Sequence, residues 1–178
     1  ADASADGVVL RQAAASAGEA RARLSGQLMR AGAGWRLQGD AQLQAFDPLP
    51  WWRGAEGSAW RQGPHRLNGQ LKADLVWRSA KTPDANTTLD RWLQQLTGSA
   101  DLNLAPSQLA GLPISGELHL AGQGAAVGVR GQLQAAGNQL QWDGQGGGSA
   151  RADHWQLQLA GPQLAALGRS VRPLARKL

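Results

Sequence analysis

The sequence contains no cysteine and no tyrosine, and only one phenylalanine and one methionine among its 178 residues. The absence of cysteine excludes disulfides and thiolate metal sites, and it leaves oxidising and reducing compartments equally open. Valine and isoleucine are also scarce, with six and one copies, so leucine, with 26, is the only abundant large aliphatic residue. With so few residues of the kind that fill a β core, we expect an ordered but thin protein, one sheet deep over much of its length.

Long apolar runs are also missing. No segment has the length and hydrophobicity of a transmembrane helix, and no secretory signal is visible. We therefore expect that these residues neither direct the chain to a compartment nor span a membrane, and that any anchor lies outside this segment.

The positive charge is modest and dispersed. The net charge of +5, the pI near 11.0 and eight tryptophans raise the question of nucleic acid binding. However, basic residues such as Arg23, Lys72 and Arg130 fall in separate predicted strands, and no basic run precedes the last ten residues. This pattern favours a solvated basic face and predicts no nucleic acid partner.

Residue patterns for catalysis are absent as well. His65, His119 and His154 are far apart and lack metal-ligand spacing. The segment Gly144–Gly148 has the glycines of a phosphate loop without its lysine, and we interpret it as a flexible turn. The sequence thus predicts a protein that is not an enzyme and has no catalytic residue, metal site or cofactor.

Apolar and polar residues alternate along much of the chain, with a period of two. From Leu67 to Trp77 the odd positions are Leu, Gly, Leu, Ala, Leu and Trp, whereas the even positions are mostly polar. Because successive side chains of a strand point to opposite faces, this spacing predicts one apolar and one wet face.

The same pattern recurs with a glycine at its centre, as an apolar residue, any residue, glycine, any residue, then Leu or Ala. Either something lies over the gaps that these glycines leave in the apolar face, or the glycines let the sheet bend or a facing sheet approach. The copies are Leu24–Leu28, Leu37–Ala41, Leu67–Leu71, Ile114–Leu118 and Val129–Leu133.

Short connections separate most of the predicted strands. Residues 1–17 predict a short first strand or a frayed end, and the prolines predict a loop over Asp47–Pro64 and a connection over Pro106–Pro113. No helix alternates with the strands, so antiparallel meander pairing is favoured over a parallel α/β sheet.

Two helices interrupt the β pattern. Leu89, Trp92, Leu93 and Leu96 have helical spacing, which predicts a helix over residues 88–97. A terminal helix is predicted over residues 163–176. We treat residues 1–178 as a single β-repeat segment of a longer protein.

The repeated Gly-x-Leu strands and the segments Phe46–Trp52, His65–Leu71 and Asp153–Pro162 resemble the TamB family of AsmA-like proteins. The resemblance implies a periplasmic protein anchored in the inner membrane by a helix outside this segment. It also implies an elongated, U-shaped sheet with an apolar groove, a role in phospholipid transport and outer-membrane assembly, and an outer-membrane barrel partner of the TamA/BamA type.

The predicted fold is therefore mainly β, an elongated, curved, U-shaped antiparallel sheet with one or two short helices. Its apolar groove would bind phospholipid acyl chains, and any membrane contact would be made by other parts of the protein. The alternative is a chaperone or scaffold module that binds β-strands of outer-membrane clients through open edges. The residues predicted to line the groove are Leu24, Leu28, Leu37, Leu43, Leu67, Leu71, Leu75, Leu102, Leu104, Ile114, Leu118, Leu120, Val129, Leu133, Leu157 and Leu159.

Overall fold

A computed structural model describes residues 2–4, 6–51, 61, 63–78, 95–147 and 153–162. These residues form a single open, curled sheet of ten strands whose spatial order follows the chain. The predicted mainly β, antiparallel fold is confirmed. The strands are β1 (Asp2–Ser4), β2 (Gly7–Ala17), β3 (Ala20–Ala31), β4 (Gly34–Phe46), β5 (Arg66–Trp77), β6 (Leu96–Leu109), β7 (Leu112–Gln123), β8 (Val127–Ala135), β9 (Asn138–Gly146) and β10 (His154–Ala160).

Tight turns explain the antiparallel order. Two residues join β6 to β7 and another two join β8 to β9. In both turns the two residues have positive φ, at 51° and 77° for Ala110 and Gly111 and at 47° and 80° for Ala136 and Gly137. Two positive φ values define the type I′ hairpin turn, whose twist matches that of the strands it joins.

Some strands are longer than the sequence predicts. The first 17 residues contain an 11-residue strand, β2, rather than only a short strand or a frayed end. The predicted connection over Pro106–Pro113 is wrong, because β6 continues to Leu109 and β7 begins at Leu112. Pro106 is tolerated because the pairing of β6 with β7 shifts register between Leu104 and Ser107, and bulges accept residues that cannot donate to the ladder.

The predicted turn over Gly144–Gly148 is also wrong in its first part. Strand β9 runs to Gly146, and Gly144 pairs with Trp155 of β10. A Cβ at Gly144 or Gly146 would meet the Trp155 ring, so here glycine makes room for an aromatic side chain rather than a turn.

Most of the first predicted helix, residues 88–94, and all of the second, residues 163–176, lie outside the described residues. The helix over 88–97 is wrong at its end, because Leu96 and Thr97 begin β6 and pair with Trp77 and Val76. A short 3-10 helix occupies Leu49–Trp51. Within the described ranges, no helix is both long enough and apolar enough to cross a bilayer.

The sheet has almost no core. Leu96, Ala126 and Val127 are the only buried hydrophobic residues among those described, and no second layer of strands covers either face there. Leu96 and Val127 lie at the same end of the sheet, where β6 and β8 begin. The expectation of a protein one sheet deep therefore holds for the described part of the chain.

Glycines of the apolar face permit close approach of the neighbouring strands. A Cβ at Gly26 would lie 2.5 Å from the carbonyl oxygen of Gln38, and one at Gly69 would lie 2.6 Å from that of Asn103. Real Cβ atoms do not come so close, so any larger residue would push the strands apart. The structure favours the bending interpretation at these positions, whereas a Cβ at Gly39 would fit at 3.5 Å from the Ser25 oxygen.

Candidate functional site

All sixteen residues predicted to line the groove lie in strands, and the strand register places them on one face. Residues that are directly paired across antiparallel strands project to the same side of a sheet. Leu28, Leu37 and Leu75 are paired in succession in this way, and so are Leu120 and Val129. Leu67 is paired with Phe46, beyond the bulge between β4 and β5.

One line of paired residues crosses eight strands without a polar side chain, and we call it the leucine row. It runs at right angles to the strands, from β3 to β10. Its members are Leu24, Ala41, Leu71, Leu102, Leu118, Gly131, Trp142 and Leu157.

A second line runs beside the leucine row, two residues away from it on each strand. Leu43, Leu104, Leu133 and Leu159 belong to it. Together the two lines form an apolar surface in which Gly69, Gly116 and Gly131 contribute no side chain.

This surface is uncovered in the described structure. Seven of the sixteen residues are exposed, from Leu102 at 39% to Leu157 at 68%, and the other nine are half-buried. Soluble monomers seldom leave contiguous apolar patches larger than a few hundred Å² open to water. Larger exposed apolar faces are typical of sites that contact another protein, a membrane or a ligand.

Aromatic residues close one end of the apolar face. Trp35 pairs with Trp77, which pairs with Leu96. The Trp77 indole Nε1 donates a hydrogen bond to the Gln95 side chain at 3.1 Å, and the Arg30 guanidinium lies 6.0 Å from the centre of the Trp35 ring. These contacts fix the tryptophans at the strand ends, so the aliphatic surface has a defined border.

Sequence reasoning missed several members of this face. Leu140 and Trp142 of β9 and Trp155 of β10 belong to it by register. Trp142 also lies over Gly131, where a Cβ would be 2.7 Å from the ring. The signal was present, because Leu140–Trp142 and Trp155–Leu159 alternate as the leucine strands do.

The opposite face is polar, and its side chains are arranged in rows of the same kind. One row alternates in charge over much of its length, through Asp40, Lys72, Asp101, His119, Arg130 and Asp143. His119 Nδ1 lies 2.6 Å from Asp101 Oδ1. Opposite charges on neighbouring strands favour this register over a shifted one.

A bidentate ion pair joins β4 to β5 on the polar face. Arg36 donates hydrogen bonds to both carboxylate oxygens of Asp74, at 2.8 and 2.6 Å, and Gln38 donates another at 2.9 Å. The Arg36 bonds, and after them the Gln38 bond, lower the pKa of Asp74 from 3.8 to about 2. The same carboxylate raises the pKa of Arg36.

The polar face of the described sheet has several shallow depressions. One depression of about 670 Å³ lies beside the bulges and is lined by Arg21, Gln44, Arg66 and Asn68, among others. No group of three or more His, Asp or Glu residues in the described ranges could hold a metal ion. That the protein is not an enzyme and has no cofactor stays a prediction.

No family model, curated protein or solved structure matches this chain. The resemblance to the TamB family therefore remains a prediction, and the case for a function rests on the geometry of the apolar face.

Proposed function

We propose that this chain is a non-enzymatic segment whose apolar face carries phospholipid acyl chains between the inner and outer membranes. The observation that carries the proposal is the leucine row, a line across eight strands that has no charged residue and that no described strand covers. The periplasmic location, the inner-membrane anchor, the barrel partner of the TamA/BamA type and the role in outer-membrane assembly rest on the family resemblance alone.

The length of the leucine row suits an acyl chain. Neighbouring strands lie about 4.8 Å apart, so the seven intervals between β3 and β10 span roughly 34 Å. The hydrocarbon region of a bilayer is about 30 Å thick, and one acyl chain fills half of it. A chain lying along the row would therefore contact only part of it, which leaves room for movement along the sheet.

The binding free energy of a lipid along the row favours movement along the sheet over tight binding at one site. Each methylene removed from water is worth roughly 0.8 kcal/mol, so half-covering about thirty methylenes of two acyl chains contributes on the order of 10 kcal/mol. From β3 to β7 the row has leucine or alanine on each strand, so a lipid displaced by one strand there exchanges one set of contacts for a similar one. Transport along such a surface depends more on continuity than on a single tight site.

The open edges support a second candidate function, a chaperone or scaffold that binds β-strands of outer-membrane clients. Every residue of β10 is exposed, and β1 covers only the first residues of β2. Unpaired backbone groups on an edge strand can take up an extended segment of another protein. In that case the client would contact the edges rather than the leucine row.

Site-specific photo-crosslinking in the full-length protein distinguishes the two functions. The photoreactive residue would replace Leu71 or Leu102 of the leucine row, with Lys72 as the matched control on the polar face of the same strand. We expect phospholipid adducts, identified by mass spectrometry, at Leu71 and Leu102 and not at Lys72. Absence of lipid adducts at both leucines would favour the chaperone, and lipid adducts of equal yield on both faces would contradict the proposed path.

A further inference from the structure

Strand β10 is an edge strand of the described sheet. It pairs with β9 along all seven residues without a bulge, and no further strand covers its other side in the described part of the chain. Edge strands are usually protected by lysine, proline, bulges or short length. The β10 sequence His-Trp-Gln-Leu-Gln-Leu-Ala contains no proline and no Lys, Arg, Asp or Glu.

The order of side chains in β10 is symmetric about its centre. Leu157 is the middle residue, glutamines flank it at 156 and 158, and apolar residues follow at 155 and 159. If two such strands run antiparallel with their Leu157 residues opposite each other, every glutamine faces a glutamine and Trp155 faces Leu159. The edge is therefore complementary to itself.

From this symmetry we propose that two copies of this chain pair through β10 about a two-fold axis at Leu157. Antiparallel pairing about an axis perpendicular to the sheet keeps the apolar faces of both copies on the same side. The leucine row would then continue from Trp142 and Leu157 of one copy to the same residues of the second. The exposed side chains of Trp155, Leu157 and Leu159, at 52%, 68% and 62%, would each gain a neighbouring strand.

The other edge of the sheet is a poorer partner for β10. Beyond β1, the free part of β2 carries Arg11, and its pairing with β3 shifts register between Leu10 and Ala13. A bulge shifts the register by one residue, so the side chains beyond it lie on the opposite face of the sheet. A regular seven-residue strand that pairs with a bulged strand therefore cannot keep its apolar residues on the apolar face along its whole length. Self-pairing of β10 avoids this mismatch and closes after two copies, whereas head-to-tail pairing would form open filaments.

Cysteine crosslinking tests the register directly, since the protein has no cysteine of its own. Directly opposed residues have Cβ atoms about 4.5–5.5 Å apart, close enough for a disulfide after small movements. Under mild oxidation Leu157→Cys should form covalent dimers alone. Trp155→Cys and Leu159→Cys should not form them alone but should crosslink when the two variants are mixed.

Other crosslinking patterns would overturn the proposal. Parallel in-register pairing would link each of the three variants to itself, and pairing with β2 would link none of these variants to themselves or to each other.

Sedimentation of lipid-free full-length protein supplies a second test. Leu157→Arg puts two like charges opposite each other and should weaken dimerisation at least about tenfold, whereas Leu102→Arg, the same change on an interior strand, should not. A wild-type protein that stays monomeric at several hundred micromolar, or a Leu157→Arg variant that still dimerises fully, would refute self-pairing. The lipid-crosslinking result at Leu71 is independent of both outcomes.

Discussion

At the scale of single residues, Asn68 connects the irregular parts of three strands. Its Oδ1 accepts a hydrogen bond from the Ala45 backbone at 2.8 Å, and its Nδ2 donates one to the Pro106 carbonyl at 2.8 Å. Its own backbone N–H donates to Ser107 Oγ at 2.9 Å. Ala45 and Pro106 lie where the strand registers shift, so one side chain satisfies backbone groups that the bulges leave unpaired.

Replacing Asn68 by Ala should therefore lower the free energy of unfolding by about 1–2 kcal/mol, because it leaves a partly buried N–H and a carbonyl without partners. Urea denaturation followed by tryptophan fluorescence measures the change. Gln70→Ala, on the same strand and the same face, is the matched control and should change the free energy by less than about 0.5 kcal/mol. Equal effects of the two substitutions would mean that Asn68 does not stabilise the bulges.

Asp74 should titrate below the ordinary range of a carboxyl group. Arg36 and then Gln38 lower its pKa from 3.8 to about 2. Since the folded-state pKa is the lower one, the stabilisation is complete above the unfolded value and is lost as the pH falls from about 4 towards 2. Carboxyl-carbon NMR should give a pKa near 2 in the wild type and a higher value in Arg36→Gln, with Lys72→Gln as the control that leaves it low.

Leu71 lies near the middle of the leucine row and tests the proposed path. Leu71→Asp puts a short charged side chain on the row without removing any backbone pairing, and it should slow lipid exchange by the full-length protein at least about tenfold, which corresponds to a barrier increase of about 1.4 kcal/mol. Gln70→Asp, which carries the same charge on the opposite face, should leave the rate unchanged. Normal exchange by a folded Leu71→Asp protein would exclude this path.

At the scale of elements, the turn between β8 and β9 stores strain in an alanine. Ala136 has a φ of 47°, a conformation that asparagine adopts more readily than alanine. Ala136→Asn should raise the free energy of unfolding by about 0.5–1 kcal/mol, measured by thermal or urea denaturation. Ala135→Asn, one residue earlier in the strand, should give no such gain, and a loss of stability in Ala136→Asn would contradict the turn geometry.

Strand faces could be predicted from the sequence, but the strand registers could not. The side-chain period of two is rigid, so the faces of Leu67–Trp77 and of its copies follow directly from the spacing. Registers depend on turns and bulges. Around Pro106 the same sequence is compatible with the end of a strand and with a bulge through which the strand continues, as β6 does. The alternation of their strands places Trp142 and Trp155 on the apolar face, but their contacts with Gly131 and Gly144 are recognised only once the strands are paired.

At the scale of the whole molecule, no strand of the described sheet pairs with a strand that is distant in the sequence. Each described strand pairs only with its neighbours in sequence, and the few buried apolar residues lie at one end. The middle strands have a partner on both sides, whereas β10 has one along its whole length. Local opening is therefore easier towards the edges of the sheet.

Hydrogen exchange should show this gradient. In dilute solution we expect the slowest backbone amides in β4–β7 and exchange at least about tenfold faster in β10, because in the described sheet β10 has a neighbouring strand on one side only. Mass spectrometry of peptic fragments measures this, and the short turns serve as a reference for unprotected amides. Uniform protection across the ten strands would instead indicate that the sheet opens only as one cooperative unit.

The chain-order arrangement of strands has a consequence for how the length of this protein can change. Duplicating one hairpin inserts two strands without altering which face any other residue occupies, and it lengthens the leucine row by about 9.6 Å. Deleting a hairpin shortens the row by the same step. The distance that such a sheet spans is therefore set by the number of hairpins that the gene encodes.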